Sequence, residues 1–487
     1  MPQQILFTSS ELFPLVKTGG LADVVGSLPA ALAALGADLR IAVPAYRGWR
    51  DQVCDVRGIG RIATPVHAFD MWQARHPQID VPLYLFDAPA LFDRPGDPYH
   101  DEHHHAWPDN GARFGAFADA VAQAVVQRAD PAFDPDVVHA HDWQTGLVMP
   151  WLAERGASAT RIFTIHNLAY QGVFPETLAR TLNLPPHWWH MEGVEFHGHL
   201  SQLKAGITYA DAVTTVSPSY AREVQTPAFG FGFEGLLQSR AHRLHGIANG
   251  IDDRTWDPAR DPLIAKRYNS VRVMSGKQAN KLALQTELGL AQDDAPALIG
   301  VITRFAHQKG IDLVIDAMEA LMTMPVQLVI LGSGDRAIER ELRHHAHAAP
   351  DRIALHYGYD EGLAHRIVAG ADVFLMPSRF EPCGLTQMYA QRYGTVPVVH
   401  RTGGLADTVV DADADSLDAG TATGIQFLNA DAGGVIYGID RALQLRRDAA
   451  VWKRLRRTGM ARDFSWRHVA ARYLELYRSV GSAGAGH

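Results

Sequence analysis

Two cations five positions apart, Arg304 and Lys309, lie in Thr303-Arg304-Phe305-Ala306-His307-Gln308-Lys309-Gly310, after a strand-like run and before a helical one. Cations at that place in an open α/β sheet can converge on a diphosphate and stabilise the charge that develops when a sugar–phosphate bond breaks. The competing reading is a loop decorated with solvated charge. Further on, Ser378-Arg379-Phe380-Glu381-Pro382-Cys383-Gly384-Leu385-Thr386 brings together a carboxylate, a glycine and a hydroxyl. Glu381 suits the paired hydroxyls of a sugar, and the Gly384-Leu385-Thr386 amides suit phosphate oxygens at a helix start. Otherwise Glu381 caps a turn and Cys383 is an ordinary half-buried apolar residue. Near the N-terminus, Lys17-Thr18-Gly19-Gly20 sets a lysine beside a diglycine that lets backbone approach a phosphate. It has neither the Walker spacing nor G-x-G-x-x-G, and the alternative is a solvated lysine on a turn.

Thr18-Gly19-Gly20-Leu21-Ala22-Asp23 reappears as Thr402-Gly403-Gly404-Leu405-Ala406-Asp407, preceded by Lys17 in one copy and Arg401 in the other. Both follow a predicted strand and open a helix, so one anion-holding device is expected in each half of the chain. Two unrelated, well-capped turns would give the same pattern. His139-Ala140-His141-Asp142-Trp143 and Thr164-Ile165-His166-Asn167-Leu168-Ala169-Tyr170-Gln171-Gly172 mix aromatic faces with hydroxyl-binding side chains, a combination that suits a carbohydrate. Two histidines without a carboxylate or thiol set make a weak zinc site, and Glu102-His103-His104-His105 reads as an exposed loop. Asp411-Ala412-Asp413-Ala414-Asp415 lies beyond a helix start rather than at a strand end, so it reads as a solvated acidic loop. No metal is expected. A diphosphate would be offset by Lys17, Arg304, Lys309 and helix-start amides.

The elements that must position these groups alternate. Residues 4–9 read as a buried strand, 21–35 as a helix stopped by Gly36, and 39–43 as a second strand, a β-loop-α-β unit of the kind that builds parallel sheets. Strand-like runs recur at 136–139, 161–165 and 212–216. A second series has strands at 297–302, 326–331, 352–356, 372–376 and 396–399, with a helix at 311–322. Between the series, Asn249-Gly250-Ile251-Asp252 and the prolines after it place a hinge near 245–255. Residues 468–480 look like an amphipathic helix and 481–487 like a frayed, disordered tail.

The 487 residues exceed one ordinary core, so two domains are expected. With 45 Lys and Arg against 53 Asp and Glu, a broad basic face for nucleic acid is excluded as an expectation. Two cysteines, Cys54 and Cys383, make no disulfide framework, which fits a reducing compartment. Met1 to Glu11 lacks the marks of a secretory signal, and no apolar run approaches the roughly 18–20 residues that span a bilayer. A cytoplasmic protein without membrane association is expected.

Taken in order and at these separations, Lys17–Val24, His139–Trp143, His166–Gly172, Asn249–Asp252, Arg304–Gly310 and Glu381–Gln387 make the chain resemble the bacterial glycogen synthases, the retaining, ADP-glucose-using type related to plant starch synthases. The resemblance covers nearly the whole chain. It implies the GT-B architecture: α/β, two Rossmann-like doubly wound parallel-sheet domains with an interdomain cleft. Residues 1–247 would form the N-terminal domain on the acceptor side and 248–465 the nucleotide-sugar-binding domain, with helix 466–480 crossing back to the first.

Carried over residue by residue, the resemblance gives Arg304 and Lys309 the donor diphosphate, Glu381 the glucose hydroxyls and His166 the transferred glucose. Lys17, Gly19, Gly20, Asp23, Asn249, Tyr359, Cys383, Gly384, Leu385 and Thr386 would bind the donor, Tyr359 packing on the adenine. Tyr99, Asp142, Trp143 and Asn167 would meet the sugar and the acceptor glucan. No cofactor is implied beyond the substrate ADP-glucose, and the partner is glycogen or another α-1,4-glucan. Tyr389 stands where many retaining relatives carry a second glutamate, which favours glycogen synthase over sucrose synthase or sucrose-phosphate synthase. Gln144 replaces the last histidine of the family's His-Asp-Trp-His stretch.

Overall fold

The first sheet grows outward from a strand whose side chains are buried on both faces. In a computed structural model, which describes residues 2–103 and 105–484, β1 (Gln4–Thr8) carries Ile5, Leu6 and Phe7 at 4% exposure or less. A continuous apolar run of this kind requires cover on both sides, and so it suits a parallel sheet flanked by helices. The other strands of this region are β2 (Asp38–Pro44), β3 (Cys54–Ala63), β4 (Ala68–His76), β5 (Ile79–Asp87), β6 (Val137–His141), β7 (Thr160–Ile165), β8 (Val173–Pro175), β9 (Glu195–Phe196), β10 (His199–Ser201), β11 (Ala212–Thr215) and β12 (Leu244–Gly246). The main sheet has the order β12-β11-β7-β6-β1-β2-β5-β4-β3, and β8, β10 and β9 form a small separate sheet. Pairing is parallel from β12 to β5 and antiparallel from β5 to β3. The chain runs from β1 one way to β2 and β5, then returns to β6 on the other side, so the order reverses between β1 and β6.

Unit 2 has one six-stranded sheet, all parallel: β13 (Ala297–Ile302), β14 (Val326–Gly332), β15 (Ile353–Tyr357), β16 (Val373–Met376), β17 (Val396–His400) and β18 (Ile425–Phe427), in the order β15-β14-β13-β16-β17-β18. This is the doubly wound Rossmann order, reversing between β13 and β16. By residue range, unit 1 holds Met1–Val216, Ala221–Gly250 and Trp466–His487, and unit 2 holds Ser217–Tyr220 and Ile251–Ser465.

The last helix, Trp466–Gly484, belongs to the core of unit 1. Its Trp466, Tyr473, Leu474, Leu476 and Tyr477 pack with Leu21, Val24, Val25 and Leu28 of the helix Gly20–Ala34. Each large apolar side chain buried there contributes about 1.5–3 kcal/mol, which is enough to hold a helix remote in sequence. The helix continues past Gly481, where a disordered tail was expected to begin; Ala485–His487 lie outside the described residues. The expected helix at 311–322 is two, Ile311–Asp316 and Met318–Thr323, hinged at Ala317. No helix among the described residues is long and apolar enough to cross a membrane.

Candidate active site

Open α/β sheets bind ligands beyond the carboxyl ends of their strands, where the strand order reverses. In unit 1 that place is set by register. Thr8 pairs with Ala140, and His141 with Thr164, so the loops after β1, β6 and β7 leave the same edge side by side. Those loops carry Lys17, Asp142 and His166.

The diglycine loop is held by a residue that spacing did not single out. Glu11, 3% exposed, accepts hydrogen bonds from Thr18 N (2.7 Å), Thr18 Oγ1 (2.5 Å), Gly19 N (3.2 Å) and the Tyr99 hydroxyl (2.7 Å). The helix Gly20–Ala34 has no side-chain cap of its own at Gly19, and Glu11 supplies that charge from outside. The amides of Thr18 and Gly19 are therefore already taken. A Cβ at Gly19 would meet nothing within 4 Å, so no packing in the protein demands glycine there and the space above the loop is open. Lys17 Nζ lies 2.8 Å from Asp23 Oδ1. Tyr99, expected at the sugar, has its hydroxyl on Glu11 and on Ser10 Oγ at 2.8 Å. Burial, then the Glu11 charge, pushes the phenol well above its ordinary value, so Tyr99 remains a donor. Glu11→Gln is expected to loosen this loop and lower turnover about tenfold, the scale of one charge-assisted hydrogen bond. Steady-state rates beside an unchanged melting temperature would check it.

After β7, the His166 backbone N–H donates to Asp142 Oδ1 at 2.7 Å, and Asp142 itself is in the left-handed region at φ 57°. Burial pushes the Asp142 carboxyl up to about 7, although the amides of His166 and Asn167 favour its ionised form. His166 Nε2 shares a hydrogen bond with His141 Nδ1 at 3.0 Å. Burial pulls His166 down to about 3, so its ring is neutral at physiological pH. Asn167 spends its Oδ1 on Ala169 N, at 3.1 Å. Trp143 packs edge-on against Phe114 and beside Phe174, each at 5.5 Å, and over Gly172, where a Cβ would lie 2.6 Å from the indole. Gly172, at φ 54°, is thus required twice over. His139 is no ligand in waiting: its two ring nitrogens bond the Tyr477 and Thr164 hydroxyls. Gln144 is buried. Asn249, in the same unit, is 8% exposed.

In unit 2 the reversal point lies between the loops after β13 and β16. Gly310, at φ 64°, lets them touch, since a Cβ there would sit 2.2 Å from the Pro377 carbonyl oxygen. Their contact joins two expected residues directly: Lys309 Nζ donates to Glu381 Oε2 at 2.6 Å, and Ser378 Oγ donates to the same oxygen at 2.9 Å. Glu381 is 5% exposed, and Arg304 lies exposed on the same loop as Lys309. Arg379 pins the pair of loops through Asp312 at 2.6 Å. Cys383 is buried at 5%, Gly384 has φ 71°, and Leu385 and Thr386 open the helix Thr386–Arg392, with the Thr386 hydroxyl on Met376 Sδ. Tyr359, beyond β15, is 67% exposed.

The second copy of the diglycine serves this segment. Gly404 N donates to the Glu381 carbonyl at 3.0 Å, and a Cβ on Gly404 would lie 2.2 Å from the Cys383 carbonyl oxygen. In each copy, then, a loop amide is held by a glutamate: by the carboxylate of Glu11 in one and by the backbone of Glu381 in the other. The acidic run is structural: Asp413 caps Ala414–Ala419 and Asp411 pairs with Arg441 at 3.0 Å. Tyr389 stacks on Trp256 at 4.0 Å, and Trp256 on His365 at 3.7 Å. His104 lies outside the described residues.

Residues 4–239 match the family described as Starch synthase catalytic domain, and residues 289–455 match Glycosyl transferases group 1. With two doubly wound sheets of this kind, the chain is a glycosyltransferase of the GT-B class. Glycogen synthase 1 of Methylococcus capsulatus is 50% identical over 486 residues, covering 98% of this chain and 96% of that protein. Glycogen synthase of Thioalkalivibrio sulfidiphilus is 50% identical over 483 residues, covering 98% of this chain and 100% of that protein. The catalytic domain of starch synthase IV from Arabidopsis thaliana, bound to ADP and acarbose, aligns with a TM-score of 0.89 at 33% identity, over 99% of this chain and 100% of that one. The chain belongs to the bacterial glycogen synthase family.

Proposed function

We propose that this enzyme moves glucose from ADP-glucose to the 4-hydroxyl at the nonreducing end of an α-1,4-glucan, with retention of the α configuration and without a metal. The observation that carries the reading is the Lys309–Glu381 pair at the reversal point of unit 2, a cation and a carboxylate 2.6 Å apart. ADP in the related starch synthase IV structure supports an adenine nucleotide as the leaving group. Lys309 and Arg304 offset the charge of the departing diphosphate, and Lys17 with its Asp23 partner serves the donor as well. Glu381 accepts from glucose hydroxyls. Asn249, Tyr359 and the Cys383–Thr386 segment bind the nucleotide, and Asp142, Trp143, Asn167 and Tyr99 shape the sugar and acceptor side.

A double displacement needs an ionised carboxylate against the anomeric carbon. Asp142, the carboxylate on the His166 amide, is buried with its carboxyl pushed up to about 7, so a large share of it is protonated and unable to attack at neutral pH. That supports attack from the same face as the leaving phosphate, whose oxygen takes the proton of the incoming hydroxyl. His166 then steadies the glucose through its ring and the developing positive charge through its backbone carbonyl.

The test is transfer of labelled glucose to glycogen from ADP-glucose or UDP-glucose, with a metal chelator present. Transfer from ADP-glucose at an unchanged rate, into chains that an α-1,4-specific hydrolase releases, is the expected result. Preference for UDP-glucose, or loss of activity with the chelator, would overturn the donor or the metal-free part respectively.

A further inference from the structure

His141 is wholly buried, and its backbone is fixed from both ends by one hydroxyl: Thr145 Oγ1 accepts from His141 N at 2.8 Å and donates to His141 O at 2.7 Å. The ring lies against Phe7 at 5.1 Å and against His139 at 4.2 Å. His139 offers it no hydrogen bond, since both its nitrogens are committed to Tyr477 and Thr164. Among the described residues His141 therefore has a single polar contact for its ring, the 3.0 Å bond between its Nδ1 and Nε2 of His166. Its Nε2 is buried without a partner among the described residues. The His166 backbone is fixed in turn by Asp142.

Both rings are neutral, because burial drives each well below the ordinary imidazole value. Each then carries one proton, and the shared bond holds one proton between two nitrogens. If His166 donated it, His141 would carry its own proton on the partnerless Nε2, leaving a buried N–H with no acceptor. Orphaned buried donors are rarer than acceptors left short. The proton therefore belongs to His141 Nδ1, and the partnerless Nε2 carries a lone pair. The bond made by one ring nitrogen decides the state of the other.

We propose that His141 is a positioning residue for His166, donating its Nδ1 proton to His166 Nε2 and so keeping the His166 proton on Nδ1, from which it is donated to a sugar hydroxyl. This deepens the proposed function and rests on its placement of His166 at the transferred glucose. The run His139-Ala140-His141-Asp142 thereby acquires a division of labour: His139 anchors the last helix through Tyr477, His141 sets the His166 ring, and Asp142 sets the His166 backbone.

The experiment is nitrogen NMR of the full chain with labelled histidine, the His166 signals being identified by their loss in His166→Ala, alongside steady-state kinetics. In the unchanged protein, His166 is expected to show a protonated Nδ1 and a bare Nε2. His141→Phe removes the donor and should shift His166 toward Nε2 protonation, with kcat lower by about tenfold at an unchanged donor KM, the scale of one hydrogen bond. His141→Asn, whose amide replaces the Nδ1 donor, should restore the His166 signature and most of kcat. A protonated Nε2 on His166 in the unchanged protein overturns the proposal whatever the His141 variants do. So does His141→Phe with both spectrum and kcat unchanged beside a failing His166→Ala. Full turnover in His166→Ala would instead overturn the placement of His166 at the sugar, and with it the functional half of the proposal.

Discussion

Lys309→Ala and Glu381→Ala are each expected to lower turnover at least about 100-fold, the usual loss when one well-aimed electrostatic group is removed from a transition state. Each change also breaks a part-buried ion pair: the side chains are 19% and 6% exposed, and the bond is 2.6 Å. Lys309→Ala leaves the Glu381 carboxylate with Ser378 as its remaining described partner, a costly state for a charge so little exposed. A loss of activity could therefore reflect instability alone, and the double variant separates the two. With both charges gone, no unpaired ion remains, so its melting temperature should lie nearer that of the unchanged protein than either single variant does. Turnover should stay as low as in the singles if, as proposed, Lys309 serves the diphosphate beside Arg304 and Glu381 serves the glucose. Recovery of turnover along with stability would reduce the pair to a structural role. Lys309→Arg is a sharper probe, since a planar fork does not reproduce a compact ammonium in this geometry.

Much of this arrangement was legible in the chain before any coordinates. The strands that carry the sites are continuous apolar runs, such as Ala297-Leu298-Ile299-Gly300-Val301-Ile302, and they recur at the spacing of crossover units, so both sheets could be placed from pattern alone. The loops after β1, β6, β7, β13 and β16 were marked by glycines and charges at strand ends. β3, by contrast, reads Cys54-Asp55-Val56-Arg57-Gly58-Ile59-Gly60-Arg61-Ile62-Ala63 and has only Ile62 buried, so no alternation marks it and the antiparallel extension β3–β5 went unseen. Glu11 escaped for a different reason. Its partners are Thr18 and Gly19 nearby and Tyr99 at a separation of 88 residues, and a single carboxylate with partners at such distances has no spacing to betray it. The tight packing of the second diglycine on Cys383 and Glu381 likewise depends on a contact between two loops, which a local pattern does not encode.

Asp372→Asn is expected to destabilise unit 2 by about 3–5 kcal/mol, because it strands buried cations. Asp372 precedes β16 and bonds Arg456 Nη2 through Oδ1 at 2.6 Å, and Lys281 Nζ through Oδ2 at 2.9 Å. It also accepts from the Leu298 amide at 3.0 Å, tying β13 to β16 on the edge opposite the site loops. Arg456 and Lys281 are 4% and 1% exposed, and the amide of an asparagine does not balance them. Burial by itself would raise the Asp372 carboxyl; the charges of Arg456, Lys281 and Arg446 outweigh it and hold the group at about 2. The folded value lies below the unfolded one of about 3.9, so the contribution is present in full above that pH and is lost as pH falls toward 2. Nearly two pH units of depression correspond to roughly 2.5 kcal/mol. Unfolding free energies measured between pH 6 and pH 2 should fall more steeply in the unchanged protein than in Asp372→Asn, by about that amount. Other depressed carboxylates, Asp261 and Asp312 among them, act equally in both proteins and cancel in the difference. Parallel acid limbs in the two would show that Arg456 and Lys281 are satisfied without the carboxylate, and that the base of this sheet is held by packing rather than by charge.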